Sequence, residues 1–434
     1  MNPSPGNPQK AGPAWFWPLV MVTALHLLST AGRWWITDHG EILAVADRFL
    51  SSGHLDLKDL GAGWEDWTRI VGARGSFATR FQPLSILLLV PFLALDHLFG
   101  WREPPAFRFV HLEGHFFVTL GLGLVGRWIS RQGVRTSVTA LSILLLGLNW
   151  PVWMIARRIG PEPVLFALLA VFATSGPRVR FVALVLLPWV HASGPLLGLG
   201  AWLWQSRSQG SFKDGSVRLS ALGLILGALS VGLFWNLPVH GHVLLGGYNR
   251  YSSDGFFTVR NPLAGALSLL PPMIVSLLPY GYLVARGGRK SLLDVASVSL
   301  PLIVVLSLFS NPEPERRFAP LFAILAIIVT ATLPSVPRSG RIGLASVALF
   351  SGVFGLSGDF VDTVQTPLGI FSGPALLFLR LAFEEGRPLL AGLLAGTLLA
   401  VVLLAGSRTL GLILKVPQGD ALEGSATAST PLHQ

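Results

Sequence analysis

The sequence TDHGEILAVADRFLSSGHLDL (residues 37–57) follows the first long apolar segment and carries acidic side chains close to the predicted membrane surface. From Glu41 onward its apolar residues recur with helical spacing, which predicts a short amphipathic helix that stops at Gly53. A helix of this kind at the end of a membrane span lies in the interface, with its apolar face toward lipid and its carboxylates toward water. The stretch therefore predicts a polar site at a membrane surface.

The acidic residues of this stretch have two compatible interpretations. Asp38 and Glu41 are three residues apart, which is the spacing of a capping-box variant with Asp38 as the N-cap. Carboxylates at a helix start also suit the helix dipole. The same side chains could equally take part in catalysis at the surface. Both interpretations stay open at this stage.

The composition identifies a membrane protein. The chain has 434 residues, of which 51% are hydrophobic and 12% are charged, far from the average of a soluble protein. Apolar runs recur from end to end, which predicts an all-α polytopic fold of about 10–13 spans or half-spans. The net charge of +10 comes largely from basic residues in alternate loops, which set the orientation of a chain in the membrane. We therefore expect no nucleic-acid partner. The absence of cysteine excludes disulfides and thiol chemistry.

We expect one transmembrane domain over residues 14–415, between a disordered N-terminus (1–13) and a loose cytoplasmic tail (416–434). Three long polar loops interrupt it, at residues 36–81, 236–262 and 357–387. The prolines and glycine between Pro188 and Pro195 break one apolar run into two half-spans.

The orientation depends on residues 83–99, which are apolar but carry Asp96 and His97. If this segment is interfacial or re-entrant, the basic loop residues share one side, which the positive-inside rule assigns to the cytoplasm. If it crosses the membrane, most of them fall outside. We therefore predict an interfacial segment in a cytoplasmic-membrane protein, with the long polar loops on the outer side. The basic residues are Arg127, Arg131, Arg135, Arg178, Arg180, Arg207, Lys213, Arg218, Arg286, Arg289, Lys290, Arg338 and Arg341.

Four segments, taken in order, resemble the GT-C superfamily of membrane glycosyltransferases, in particular bacterial aminoarabinose transferases and protein O-mannosyltransferases. They are TDHGEILAVA (37–46), GPEPVL (160–165), the loop from NLPVHG to GY (236–248) and ERRFAPL (315–321). The sequence departs from the family pattern at two places. His39 follows Asp38 where many relatives have an Asp-Glu pair, and Glu162 stands where aspartate is usual.

The resemblance implies a GT-C-like helix bundle that transfers a sugar from a polyprenyl-phosphate donor to a hydroxyl of a glycan, lipid or protein at the outer face of the membrane. A carboxylate suits the removal of the hydroxyl proton, and an arginine fork suits the phosphate. The candidate catalytic residues are Asp38 as base, Glu41 and Glu162. The candidate phosphate ligands are Arg316 and Arg317, with Arg80 as an alternative, and the candidate substrate-binding residues are His39, His240, Tyr248 and Tyr251.

Each candidate also has a plainer explanation. Arg316 and Arg317 could anchor a span at the lipid headgroups, although an external arginine pair runs against the positive-inside trend. Glu162 could simply start a helix. No cofactor is assigned, because the spacing of the histidines that could join Asp38 around a divalent metal matches no metal motif. Those histidines are His39, His191, His240 and His242.

Two other functions remain open. In a transporter or flippase, the break at residues 188–195 would be a broken-helix substrate site. That function predicts ionisable residues near the midplane and repeated halves, whereas the acidic residues of this chain gather mainly in loops without an internal repeat. A non-catalytic relative that only binds lipid-linked sugars is the third alternative.

Overall fold

The computed structural model describes the chain outside residues 1–12, 31–36, 56–69, 72–76, 80, 101–108, 209–211, 244–269, 308–313, 358–385 and 415–434. The expected disordered terminus, the tail and most of the three long loops lie outside the described residues. Within the described part the fold is a helix bundle, which confirms the all-α prediction. A pair of two-residue antiparallel strands, with Ile70 opposite Ala78, is a small addition to it.

The bundle begins with α1 (Phe16–Leu28), α2 (Thr37–Ser52), the strands β1 (Ile70–Val71) and β2 (Phe77–Ala78), and α3 (Pro83–Leu98). It continues through α4 (Leu112–Arg131), α5 (Thr136–Gly147), α6 (Trp150–Ala156), α7 (Pro161–Thr174), α8 (Pro177–Val190) and α9 (Gly194–Ser208). Next come α10 (Gly215–Val231), a π-helical turn (Gly232–Asn236) and α11 (Leu237–His240). It ends with α12 (Leu270–Leu306), α13 (Pro314–Phe318), α14 (Phe322–Thr330), α15 (Arg338–Ser357) and α16 (Pro388–Leu414).

The helices have the lengths and composition of a multi-pass membrane protein. Among the residues that the structure describes, three segments are long and apolar enough to cross a bilayer, namely Phe109–Arg131, Gly215–His240 and Pro388–Leu414. The pair α5 and α6, bent by 66°, would make a fourth span. Shorter apolar helices stand beside them, and α12 contains a non-helical residue at Gly288, so it is two helices joined at a kink.

Small residues let the helices approach closely. Gly121 of α4 faces the ring of Phe166, and Gly126 faces Trp15 and Ile143, so that a Cβ at either glycine would overlap its neighbour. Gly223 of α10 lies against the Phe181 carbonyl of α8 in the same way. Close backbone approach through glycine is typical of helix contacts in membranes. Gly121 and Gly126 of α4 are therefore packing residues.

The amphipathic helix α2 differs from its prediction in two respects. It begins at Thr37 and not at Glu41, so Asp38 lies inside its first turn and the prediction of Asp38 as N-cap is wrong. Its apolar residues, Ile42 to Ala46, pack against α3 and Ile159 instead of lipid. The reason is that α3 supplies a second apolar surface at the same level. The predicted stop is confirmed, because Gly53 has φ of 75° and donates its N–H to Phe49 O.

The helix α3 is tied into the bundle at both ends. The buried Asp96 carboxylate accepts hydrogen bonds from the backbone N–H groups of Phe109 and Val110, at 2.8 and 3.1 Å. At its start, Gln82 Nε2 donates to Asn236 Oδ1 at 3.2 Å. These bonds give the polar residues of α3 structural roles. The location of α3 in the membrane interface, without a full crossing, stays a prediction.

Several predicted basic loops meet at one end of the bundle. Arg341 Nη1 donates to Ser137 Oγ at 3.0 Å, Arg286 Nη2 donates to Ser335 O at 3.1 Å, and Arg207 Nε lies 3.6 Å from Asp294. We call this the basic end, defined by Ser137, Arg207, Arg286, Asp294, Ser335 and Arg341. These contacts agree with the expectation that the basic loop residues share one side of the bundle. Its assignment to the cytoplasm stays a prediction.

Candidate functional site

Glu162 is a buried carboxylate in the first turn of α7. The helix starts at Pro161, whose fixed φ suits a first helical position, directly after Gly160. Glu162 Oε1 accepts a hydrogen bond from Arg316 Nε at 2.5 Å and lies 3.4 Å from Arg317 Nη1. The structure therefore brings together the second and fourth sequence segments, 154 residues apart. Two guanidinium groups beside one buried carboxylate keep that carboxylate ionised.

The two arginines occupy different environments, although they are adjacent in α13. Arg316 is buried, with its side chain 2% exposed, whereas the Arg317 side chain is 17% exposed. Arg317 Nη1 contacts both Glu162 and His191, while its Nε and Nη2 have no hydrogen-bond partner among the described residues. Arg316 therefore neutralises Glu162 inside the protein, and Arg317 has donors to spare for a ligand.

His191 completes this group, although the sequence suggested it only as a possible metal ligand beside Asp38. It lies in the break between α8 and α9 and is buried, with its Nε2 3.2 Å from Arg317 Nη1. Its Nδ1 lies 2.8 Å from Ser193 Oγ. The cluster of helix breakers in the sequence located the break correctly. The sequence could not show which charged residue this turn would face. We call the end of the bundle that holds Glu162, His191, Arg316 and Arg317 the site end.

Gly160 is the point at which three helices meet. Its N–H donates to Glu113 Oε2 of α4 at 3.1 Å. A Cβ at Gly160 would stand 3.4 Å from Glu162 Oε2 and 3.9 Å from Ile42 Cδ1 of α2, and its φ of 140° is one that side-chain-bearing residues rarely adopt. The backbone at Gly160 therefore places Glu162 next to α2. Glu113 was also missed, because in the sequence it belongs to a helical run.

Arg157 and Arg158 add two more buried guanidinium groups just before Gly160, with 3% and 8% of each residue exposed. Burial, with a smaller effect from the neighbouring Arg158, lowers the pKa of Arg157 to about 10. The sequence did contain a signal for this pair. Like Arg316 and Arg317, the two arginines lie at the end opposite the basic loops, against the positive-inside trend.

The first sequence segment approaches the site through α2. Glu41 is buried and its Oε1 accepts a hydrogen bond from Thr79 Oγ1 at 2.7 Å. Thr79 Oγ1 in turn accepts from the Phe81 N–H at 3.1 Å. Glu41 therefore ties α2 to the segment before α3. Asp38 and His39 lie in the first turn of α2, but their side chains are not among the described residues, and neither are Arg80, Tyr248 and Tyr251.

The remaining histidines have packing or hydrogen-bonding roles, or lie elsewhere. His115 Nε2 pairs with Thr30 Oγ1 at 2.7 Å, and His26 Nε2 lies 2.8 Å from Gly147 O. His115 therefore joins α4 to the end of α1 through an interhelical hydrogen bond. His240 is half-buried at the end of α11. Within the described part of the chain, no group of three or more His, Asp or Glu side chains is arranged to hold a metal ion.

This arrangement is suited to binding an anion beside a fixed carboxylate. An arginine with two free N–H donors can bind two oxygens of a phosphate. Because Glu162 already accepts from Arg316, it is better placed to orient neighbouring groups than to remove a proton. The helix break at His191 belongs to the same end as these charges, and not to a separate site in the middle of the bundle.

No protein-family model matches the sequence, and neither does any curated protein. Among solved structures, the chain is similar to the crystal structure of ArnT from Cupriavidus metallidurans bound to undecaprenyl phosphate. The TM-score is 0.50 at 16% sequence identity, and the match covers 93% of this chain and 76% of ArnT. At this identity the likeness concerns the fold alone. The chain therefore has a fold like that of ArnT.

Proposed function

We propose that this protein is a glycosyltransferase that moves a sugar from a polyprenyl-phosphate-linked donor to an acceptor hydroxyl at the outer face of the cytoplasmic membrane. The observation that carries the proposal is the buried group of Glu162, Arg316 and Arg317 at the end of the bundle that α2 also approaches. The similarity to a protein crystallised with undecaprenyl phosphate supports a polyprenyl-phosphate substrate.

In the proposed reaction, the acceptor oxygen attacks the anomeric carbon of the donor sugar, and the bond from that carbon to the phosphate oxygen breaks. Asp38 takes the proton of the acceptor hydroxyl as general base. The lipid phosphate leaves with its negative charge bound by Arg317, with Arg80 as the alternative ligand. Glu162 orients Arg317, and Arg316 balances the charge of Glu162. Glu41 holds α2 in place through Thr79.

The other predicted residues are proposed to bind the sugar or the acceptor. They are His39 in the first of the four segments, His240 and Tyr248 in the third, and Tyr251 shortly after the third. Glycan, lipid and protein acceptors are compatible with this chemistry. Comparing the cell-envelope glycans of a deletion strain with those of its parent by mass spectrometry would identify both the sugar and the acceptor.

The test of the reaction uses purified protein in lipid nanodiscs with a labelled polyprenyl-phosphate sugar and the acceptor found in that comparison. Asp38→Asn keeps the shape of the side chain and removes the proton acceptor, so we expect a ~100- to ~10,000-fold lower transfer rate with lipid binding retained. Asp47→Asn is the matched control, because Asp47 lies on the same helix but faces His97, with the two side chains 2.8 Å apart.

The outcome also separates the alternatives. If Asp38→Asn transfers sugar at the rate of the parent protein, the catalytic assignment moves to Glu162. If the parent protein binds polyprenyl phosphate and transfers nothing to any envelope acceptor, it is a non-catalytic relative. Movement of labelled lipid between the two leaflets without transfer would identify a flippase instead.

A further inference from the structure

We infer that His191 is a positioning residue that fixes the Arg317 guanidinium so that its free edge is presented to the phosphate group of the substrate. This inference rests on the proposed function, because it assigns a role in the binding of the lipid phosphate. It concerns a residue outside the four sequence segments that resemble the family.

The break that carries His191 is fixed by the backbone. His191 is extended, with φ of −158° and ψ of 154°, between the end of α8 and the start of α9. Gly194 lies so close to the Leu187 carbonyl that a Cβ there would overlap it. Pro188 lies within the last turn of α8. These features fix the backbone conformation of the turn. They therefore also fix the position from which the His191 side chain extends.

Ser193 holds the imidazole ring from the other side. Its carbonyl accepts the N–H groups of Leu196 and Leu197, so it occupies the N-cap position of α9. A serine at this position commonly uses its hydroxyl to accept a backbone N–H of the first turn. Here the Ser193 hydroxyl lies 2.8 Å from His191 Nδ1. The cap residue is therefore used to orient His191.

The contact with Arg317 requires one form of the imidazole. A guanidinium group can only donate hydrogen bonds, so a bond from Arg317 Nη1 to His191 Nε2, 3.2 Å away, needs a lone pair on Nε2 and a proton on Nδ1. Ser193 Oγ, 2.8 Å from Nδ1, accepts that proton, whereas the Ser193 backbone N, 3.0 Å from the same Nδ1, can donate to it only in the other form of the ring. Arg317 Nη1 is shared between His191 Nε2 and Glu162 Oε1. An acceptor in the helix break and an acceptor on α7 thus fix one end of the guanidinium group.

The fixed Nη1 leaves the other edge of Arg317 available. The Nε–H and one Nη2–H of an arginine are parallel and match two oxygens of a phosphate. Neither nitrogen has a hydrogen-bond partner among the described residues, and the side chain is 17% exposed. Without His191, the guanidinium could rotate and turn the same edge to Glu162, as Arg316 does with its Nε. His191 therefore favours the phosphate-binding orientation.

The test measures the affinity of purified full-length protein in nanodiscs for undecaprenyl phosphate. Because a hydrogen bond to a charged group contributes about 1.5–3 kcal/mol, we expect Arg317→Ala and His191→Ala each to weaken binding by about 10-fold or more. His191→Gln keeps an acceptor that can reach Arg317, and we expect binding within about threefold of the parent protein. His115→Ala is the matched control, since it removes another buried imidazole without contact to Arg317.

Each outcome decides the inference. It is overturned if His191→Ala binds like the parent protein while Arg317→Ala is weakened, and the proposed phosphate site then survives. If neither variant is weakened, the phosphate site itself is wrong. Equal losses in His191→Ala and His115→Ala would indicate a general packing effect and would also overturn the inference. If His191→Ala does not fold, Ser193→Ala replaces it, with a loss of about threefold expected and unchanged affinity as the contradicting result.

Discussion

At the site end of the bundle, Arg316 is 2% exposed and shares the Glu162 carboxylate with Arg317. At the basic end, Arg207 is 39% exposed and lies 3.6 Å from Asp294. Both ends therefore contain ion pairs between arginines and carboxylates, but the pair of Arg316 and Glu162 is buried on both sides, whereas Arg207 is largely exposed. A buried charge loses its hydration and needs a partner, whereas an exposed charge does not.

This difference separates two uses of arginine in the same protein. We predict that the basic end faces the cytoplasm, because solvated basic loops set the orientation of a membrane chain during insertion. The site end contains buried arginines where that rule predicts few, held by a carboxylate and an imidazole. Charges that are retained in spite of their desolvation cost are good candidates for a functional site. The following predictions test whether the two ends differ as this comparison requires.

The largest expected contrast is in the labelling of single cysteines, because the parent chain contains none. Ser52, at the end of α2, and Ser339, in the first turn of α15, are both exposed. In intact cells a membrane-impermeant thiol reagent should label Ser52→Cys and leave Ser339→Cys unlabelled until the membrane is opened. Labelling of Ser339→Cys alone would reverse the orientation, and labelling of both would remove the distinction between the ends.

Removal of the central carboxylate should have the next largest effect. Glu162→Gln leaves two guanidinium groups beside a neutral amide, and we expect a loss of about 3–5 kcal/mol in stability, measured by unfolding in detergent micelles. The double variant Glu162→Gln with Arg316→Gln removes the uncompensated charge and should recover part of this loss. A single variant as stable as the parent protein would show that Arg316 does not depend on Glu162.

The start of α7 offers a matched comparison with the start of α8. Gly160 and Gly176 each precede the proline that begins a helix, and they lie at opposite ends of the molecule. Gly160→Ala must adopt a φ of 140° and should lose about 1–3 kcal/mol in stability. Gly176 has φ of −76° and open space around its Cβ position, so Gly176→Ala should change stability by less than about 0.5 kcal/mol. Equal effects would mean that the Gly160 backbone carries no special strain.

The sequence was informative where a feature is local. Residues 188–195 contain enough helix breakers to locate the turn between α8 and α9, and the amphipathic pattern of α2 is visible in its spacing. Arg316 and Arg317 were recognisable because an arginine pair at that position contradicts the usual charge distribution. In each case neighbouring residues along the chain supply the signal.

The remaining features depend on contacts between distant segments. The contact of Glu113 with Gly160 joins residues 47 apart, and the contact of His191 with Arg317 joins residues 126 apart. Neither contact can be recognised from the residues that neighbour it along the chain. The lipid-facing prediction for α2 failed for the same reason, since an apolar helix face does not reveal whether lipid or α3 covers it.

The smallest predicted effect concerns the ion pair of the basic end. Arg207→Ala and Asp294→Asn, alone and combined, form a double-mutant cycle whose coupling energy should be about 0.2–1 kcal/mol, because Arg207 is largely solvated. Higher salt should reduce this coupling further, since mobile ions screen exposed charges. The corresponding cycle on Glu162 and Arg316 should give a larger coupling energy that salt hardly changes, because water does not reach that pair. If the Arg207–Asp294 coupling equals that of the buried pair, solvent exposure does not separate the two ends, and the case for a functional site at Glu162 loses its physical basis.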